Sequence, residues 1–257
     1  MKRVFALVLR AAGVNCNKET VEALNIAGAY RVDEIHINFL RKNKKIIRKY
    51  NILVIPGGFT YGDNVSAGKI LANEIKFLLI EELKRFIKEG NILLGICNGF
   101  QVLVKSGLLS MDEKNNKQTF SLIDNDSKRF ECRWVYLKFN KDKIFFKNLP
   151  DIICLPVAHN EGKFVTNEIS EEFKNRIALK YSLQNGEIAN GRYPFNPNGS
   201  LLDIAGITNK EGNVLGLMPH PERFIFDVQH PNYYNLKLKN RIFPYGLEIF
   251  KNIVKYI

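Results

Sequence analysis

Cys97 stands at the centre of Gly95-Ile96-Cys97-Asn98-Gly99, directly after the apolar run NILLGI and before a segment that reads as helix, Asn98 to Lys105. A strand, a G-x-C-x-G turn and a helix form a nucleophile elbow. The two glycines let the chain turn tightly and let neighbouring backbone approach. The side chain at the apex is then pushed out above the end of the sheet into a strained, exposed position. The positive end of the helix behind it favours a thiolate. A buried structural cysteine between strand and helix is the competing reading. It leaves the two flanking glycines unexplained.

A nucleophile needs a base, and the base needs an orienting group. The chain has four histidines. His36 alternates in an early strand and reads as structural or solvent-facing. His230 precedes Pro231 in a loop. His159 ends the run ICLPVAH, at a sheet edge where a site could lie. His220 lies in GLMPHPER, where Pro219 and Pro221 favour an extended chain. Positions i and i+2 of an extended chain point the same way, so Glu222 falls beside His220 and can fix its tautomer. Cys97, His220 and Glu222 thus form a triad by role. The alternative for His220 is a loop histidine with Arg223 pairing locally.

The run LVIPGG ends in Pro56-Gly57-Gly58. Glycines after a buried strand expose backbone N–H groups. One of these, with the N–H of Asn98, could hold the oxyanion of a tetrahedral intermediate. Cys16 is a chemical rival to Cys97 because it precedes a predicted helix, but it lacks the elbow. The four cysteines, Cys16, Cys97, Cys132 and Cys154, show no CxxC spacing, so no zinc knuckle or redox pair is drawn from them and no metal site is expected.

The elements that must position these residues follow from apolar periodicity. Val4–Leu9 reads as a buried strand, Lys18 to Ala29 as a helix ending near Gly28, and Val32–Ile37 as a strand. NILVIPGG is another buried strand. A long helix spans Ser66 to Glu89 and stops at Gly90. Strands that are continuously apolar are buried on both faces, which predicts an α/β fold with a mainly parallel sheet flanked by helices on both faces. The segment Gln118 to Phe139 reads as an antiparallel hairpin around the turn DNDS, added to that core. ICLPVAH is a further strand, and Gln184 to Ser200 a polar loop. Leu201–Ile207 and Asn213–Leu217 read as paired strands, and the last helix as Tyr245 to Val254. The sequence shows no internal repeat or linker, and a single domain over residues 1–257 is the simplest account.

The chain carries a formal net charge of +12 over 257 residues. The lysines are scattered, and the densest run, Arg41 to Lys49, reads as a solvated amphipathic segment or a landing surface for an acidic partner. The N-terminal apolar run is broken at Arg10, too short for a secretory signal. No run approaches the ~18 apolar residues of a membrane span. These features predict a cytoplasmic protein that engages neither membrane nor nucleic acid, since no nucleic-acid module is recognised. A basic nucleic-acid-binding module with an inactive elbow is kept as the rival from another class.

The elbow, HPE and PGG in this order resemble a class I glutamine amidotransferase. The stretches VLRAAGVNCNKET, IPGGFTYGDNVSAGKI, GICNGFQVL, AHNEGKF, YPFNPNGS and GNVLGLMPHPER are similar to the glutaminase subunit I family of phosphoribosylformylglycinamidine synthases, over nearly the whole chain. The family usually has proline at the position of Ala12 and glycine at that of Asn160. The resemblance implies a flavodoxin-like class I amidotransferase fold with Cys97 as nucleophile and His220 and Glu222 as its partners. It implies that Gly57, Gly58 and Asn98 line the oxyanion site and that Gln101 helps seat glutamine. Read without the family, Gln101 is a solvent-facing helix residue. Cys16 belongs to the family's N-terminal motif, where it is not the nucleophile. The resemblance further implies a large synthetase subunit, often with a small third subunit, that uses ATP and Mg²⁺ to consume the ammonia. No P-loop is present here, so ATP and Mg²⁺ are expected on the synthetase and no cofactor on this chain. The loops Gln184–Ser200 and Phe59–Ser66 are the expected partner-facing surface. An amidotransferase serving another pathway, or a free-standing γ-glutamyl hydrolase, would carry the same chemistry.

Overall fold

The computed structural model describes residues 3–111, 118–237 and 243–257. Strand β1 (Phe5–Arg10) leads through helix α1 (Asn17–Ile26) to β2 (Arg31–His36), and a short α2 (Ile37–Lys42) precedes β3 (Ile52–Ile55). Helices α3 (Lys69–Glu74) and α4 (Ile80–Lys88) are joined by a π-helical turn over Ile75–Leu79, and β4 (Ile92–Ile96) and α5 (Asn98–Ser106) follow. The single long helix expected over 66–89 is therefore interrupted by a wider turn. Its stop at Gly90 holds, with that glycine at φ 83°.

The middle of the chain supplies β5 (Phe120–Ile123), β6 (Glu131–Phe139), β7 (Ile152–His159), β8 (Lys163–Thr166), α6 (Glu171–Arg176) and β9 (Ile177–Ser182). The last part supplies β10 (Ile204–Thr208), β11 (Val214–Leu217), α7 (Tyr233–Lys237) and α8 (Tyr245–Tyr256).

Nine strands form one sheet in the order β2-β1-β3-β4-β11-β10-β9-β6-β7. From β2 to β11 the neighbours are parallel. From β11 to β7 they are antiparallel. Every residue of β3, β4 and β11 is buried, as their unbroken apolar sequences require. Helices α3 and α5 pack together beside the parallel half, and α1 packs with α8.

The hairpin expected over Gln118 to Phe139 does not form. β5 pairs with β8 in a separate two-stranded sheet, while β6 joins the main sheet between β7 and β9. Two forces separate them. Phe120 of β5 and Phe164 of β8 pack at 5.3 Å, and Phe164 lies over Phe100 of α5 at 6.3 Å, so the small sheet closes on α5 through buried aromatic rings. Burial of each such ring is worth about 2–3 kcal/mol. The intervening turn is pinned elsewhere: Asn125 donates from its backbone to the Asn160 carbonyl at 2.9 Å and from its side chain to the His159 carbonyl at 2.9 Å.

The basic run Arg41–Lys49 is tied to the neighbouring helices. Arg48 forms two hydrogen bonds to Glu82, at 2.7 and 2.8 Å, and Arg41 reaches Glu74 at 3.3 Å. Ile47 of this run is buried while residues 41–45 are exposed, so the segment is amphipathic.

Candidate active site

The parallel strands β3, β4 and β11 end together, and the residues singled out by sequence cluster there. Cys97 adopts φ 51° and ψ −104°, a left-handed conformation that costs a non-glycine residue free energy. The flanking glycines explain how the turn is packed. A Cβ on Gly99 would lie 1.9 Å from the Ile55 carbonyl oxygen, and one on Gly95 would lie 2.7 Å from the Gly99 carbonyl oxygen. No other residue fits at either position. The exposed position expected for Cys97 is not found: the residue is 5% exposed, covered from the end of β7, where its sulfur donates to the Ala158 carbonyl at 3.4 Å.

His220 leaves β11 with its backbone N–H on the Pro156 carbonyl at 2.8 Å. The extended geometry expected for HPE is replaced by a tight 3₁₀ turn over Pro221–Arg223. Pro221 begins this turn, where its missing N–H costs nothing. Glu222 still reaches His220, with Nδ1 and Oε1 at 2.6 Å, and both side chains are fully buried. Arg223 does not pair with either. It turns to the sulfur of Cys16 at 3.0 Å. Burial alone disfavours the imidazolium. The Glu222 carboxylate and the sulfur of Cys97 outweigh it, and hold the His220 proton well above the ordinary histidine range. His220 Nε2 is buried and has no hydrogen-bond partner among the described residues.

Gly57 and Gly58 lie beside this pair. The Gly57 carbonyl accepts from the N–H groups of Asn15 at 3.4 Å and Cys16 at 3.3 Å. In a trans peptide the next N–H points the opposite way, so that of Gly58 faces away from the Asn15–Cys16 loop. Gly58 and Cys97 line one cavity of about 250 Å³ with Phe59, Asp63, Ala67, Gln101 and residues 158–161.

Asn98 and Gln101 are buried, so the solvent-facing alternative for Gln101 does not hold. The Asn98 amide accepts from the Thr60 hydroxyl at 2.7 Å and donates to Gln101 Oε1 at 2.9 Å, while Gln101 Nε2 donates to the Glu161 carbonyl at 2.6 Å. The far wall is braced by Lys105. Its ammonium donates to Ser66 Oγ and the Ala67 carbonyl and pairs with Glu161 at 3.3 Å, and burial lowers its proton affinity against the pull of that carboxylate.

Sequence reasoning left two groups without a role: His159, placed at a sheet edge where a site could lie, and Cys16, ranked as a rival to Cys97. His159 is buried at the end of β7, with Nδ1 at 3.0 Å from Asn125 Oδ1 and Nε2 at 3.5 Å from Asn198. Burial, with His220 nearby, pushes its proton affinity down to about 3. The NPNGS motif explains the setting: Asn196 and Asn198 bond the backbone of Ser200, and Ser200 Oγ accepts from the Phe164 N–H at 3.0 Å. The second group is Cys16. Its sulfur lies 3.9 Å from His220 Nδ1. The ligand atoms of Cys16, His220 and Glu222 lie within 4.8 Å of one another, a spacing that could suit a metal. Here His220 Nδ1 bonds Glu222 Oε1, and the Cys16 sulfur accepts from the Arg223 guanidinium.

His36 accepts from the Asn38 N–H and caps α2, and His230 packs on Trp134 and Phe224. Neither reaches the cavity.

An elbow cysteine, a carboxylate-held histidine and glycine N–H groups at the ends of parallel strands define a glutamine amidotransferase of the triad class. Residues 3–257 match the CobB/CobQ-like glutamine amidotransferase domain, and the chain belongs to that family. It is similar to phosphoribosylformylglycinamidine synthase subunit PurQ of Methanococcus maripaludis, 41% identical over 262 residues, covering 97% of this chain and 96% of the relative. The protein of the same name from Dehalococcoides mccartyi is 42% identical over 259 residues, covering 100% of this chain and 98% of that one. Among solved structures it is similar to a chain of PurLQS from Thermotoga maritima, with a TM-score of 0.75, 29% identity and 99% of each chain covered. A glutamine amidotransferase of Thermotoga maritima shares the fold, with a TM-score of 0.57 and 15% identity.

Proposed function

We propose that this chain is the glutaminase subunit of a phosphoribosylformylglycinamidine synthase. It hydrolyses glutamine to glutamate and hands the ammonia to a synthetase subunit that converts formylglycinamide ribonucleotide to formylglycinamidine ribonucleotide. The full-length similarity to PurQ proteins supports the pathway. The observation that carries the chemistry is the pairing of a left-handed Cys97 with a His220 held by Glu222 at 2.6 Å.

The steps assign a role to each residue. The Cys97 sulfur attacks the side-chain amide carbon of glutamine. The N–H groups of Gly58 and Asn98 receive the oxyanion, with Gly57 holding the Gly58 peptide in place. His220 carries the thiol proton and gives it to the departing nitrogen, and ammonia leaves. The C–S bond of the γ-glutamyl thioester then breaks as water attacks its carbonyl, with His220 taking the water's proton and returning it to sulfur. Glu222 fixes the ring's tautomer and stabilises the imidazolium. Gln101, tied to Asn98 and Glu161, shapes the cavity wall that seats glutamine.

The chain works as a single domain in the cytoplasm. Its partners are a large synthetase subunit, which holds ATP and Mg²⁺, and a small third subunit. The PurLQS assembly of the Thermotoga relative supports this arrangement. The exposed stretches of the loops 184–200 and 59–66, residues 190–195 above all, face the partner. No described helix is long and apolar enough to cross a membrane.

Glutamate release from glutamine tests the proposal, with wild type and Cys97→Ala, each alone and with the synthetase, ATP and formylglycinamide ribonucleotide. Wild type releases glutamate faster in the full mixture, and the variant falls by at least about 10⁴-fold. A variant as active as wild type would remove Cys97 as nucleophile. Free turnover indifferent to the synthetase would remove the pathway and leave the chemistry.

A further inference from the structure

We propose that Cys16, in the VNC motif before α1, is a positioning residue that keeps the His220 ring and the oxyanion peptide aligned on Cys97. The inference rests on the triad reading above and adds a member that the triad does not contain.

Three observations carry it. First, Cys16 is fully buried, and its backbone N–H, with that of Asn15, holds the Gly57 carbonyl. Phe59 N–H reaches the Gly13 carbonyl at 2.8 Å, and Val14 and Gly58 form an antiparallel bridge. The loop 13–16 thereby fixes which way the Gly58 N–H points. Second, the Cys16 side chain is itself held. Its thiol donates to Asn15 Oδ1 at 3.1 Å, and its sulfur accepts from Arg223 Nη2 at 3.0 Å. Third, that held sulfur stands 3.9 Å from His220 Nδ1, and a Cβ on Gly57 would fall 2.7 Å from His220 Cε1 and 3.3 Å from the sulfur. The ring is confined between the Gly57 backbone and the Cys16 sulfur while Glu222 holds Nδ1. Rotation that would carry Nε2 away from Cys97 meets one wall or the other. One short loop thus aligns two parts of the machinery that come from β3 and β11. Misplacement of reacting groups by about 1 Å costs on the order of 10²-fold in rate.

The titratable groups facing His220 are Glu222 on its own turn, Cys97 at the start of α5, Cys16 before α1 and His159 at the end of β7, with Arg223 beyond the Cys16 sulfur. Contact with Cys16 adds to the groups that raise the proton affinity of His220. Loss of that contact therefore lowers it.

The test is steady-state glutaminase kinetics of Cys16→Ala, Cys16→Ser and Asn15→Ala in the complete complex, with pH profiles and melting temperatures. Cys16→Ala is expected to lower kcat by about 10–100-fold, with KM for glutamine within about twofold. The basic limb of its kcat profile moves to lower pH. Cys16→Ser, which keeps a small polar group between Asn15 and Arg223, recovers most of kcat. Asn15→Ala, which frees the thiol without opening the core at position 16, shows a smaller fall of the same kind. Wild-type kcat and an unmoved basic limb in Cys16→Ala overturn the positioning role. So does an equal loss in the Ala and Ser variants that tracks melting temperature alone, which is packing. If the position-16 variants do not fold, an Asn15→Ala protein with wild-type kcat and pH profile overturns it. Cys97→Ala run alongside separates the two readings: if that variant keeps its activity, the triad itself falls and this role with it.

Discussion

His220 and His159 are both buried at the same end of the sheet, one after β11 and one at the end of β7, yet they hold protons in opposite senses. His220 is raised well above the ordinary histidine range, and His159 is pushed down to about 3. Burial alone would lower both. The partners decide. His220 Nδ1 meets the Glu222 carboxylate at 2.6 Å, while His159 meets the amides of Asn125 and Asn198. At His220 the Glu222 carboxylate outweighs burial; at His159 the amide partners bring no charge to offset burial, and the charge of nearby His220 adds to it. In the proposed mechanism His220 is the residue that reacts, and His159 is a neutral part of the wall beside it.

Exchanging the partners breaks or sharpens this contrast. The largest effect belongs to Glu222→Gln. Removing the carboxylate leaves His220 buried without charge compensation, so kcat is expected to fall by about 10²–10⁴-fold. The sign of the pH effect follows from the raised proton affinity. Wild type keeps the imidazolium as pH rises past 6.5, and the variant loses it at lower pH, so the basic limb of kcat moves down. An unmoved basic limb would mean that Glu222 does not set the proton on His220.

Asn198→Asp makes the opposite exchange at His159. A carboxylate near Nε2 is expected to raise the His159 proton affinity by about 1–3 pH units. Titration of the ring resonances by NMR reads it directly. If they do not move, the amide partners are not what keeps His159 neutral.

The smallest effect is on stability. His159 binds no proton in the folded protein until about pH 3, against an ordinary value of 6.5. The unfolded chain takes up the proton below 6.5, so His159 weakens the fold by about 1.4 kcal/mol for each pH unit of acidification below that value. His159→Gln removes this contribution, and its denaturation midpoint should fall less steeply than wild type between pH 6.5 and 5. Parallel curves for the two proteins would contradict the depressed proton affinity.

The two histidines also mark what a sequence shows and what it conceals. The elbow and the HPE turn are local. Glycines two residues either side of Cys97 follow from one tight turn, and Glu222 is two residues from its partner, so both could be read directly. The parallel strands were legible because β3, β4 and β11 are apolar without interruption. His159 owes its character to Asn125 and Asn198, which lie 34 and 39 residues away in polar loops. Amides in loops have no periodicity to read. The contact between Cys16 and His220 spans 204 residues. The same distance effect explains the misplaced hairpin: β5 and β6 flank a turn-like DNDS, but the aromatic partner that captures Phe120 is Phe164, on β8.

The place where Gly99 meets β3 has a consequence for how substrate enters. With the Ile55 carbonyl filling the space a side chain would need, the start of α5 and the end of β3 touch backbone to backbone. No side chain between them can rotate to let one slide past the other. The cysteine and the glycines beside it therefore move as one rigid piece. In the proposed reaction, opening to admit glutamine would fall to the opposite rim, residues 59–67 and 158–162, where the side chains of Ser66, Glu161 and Lys105 of α5 make the contacts.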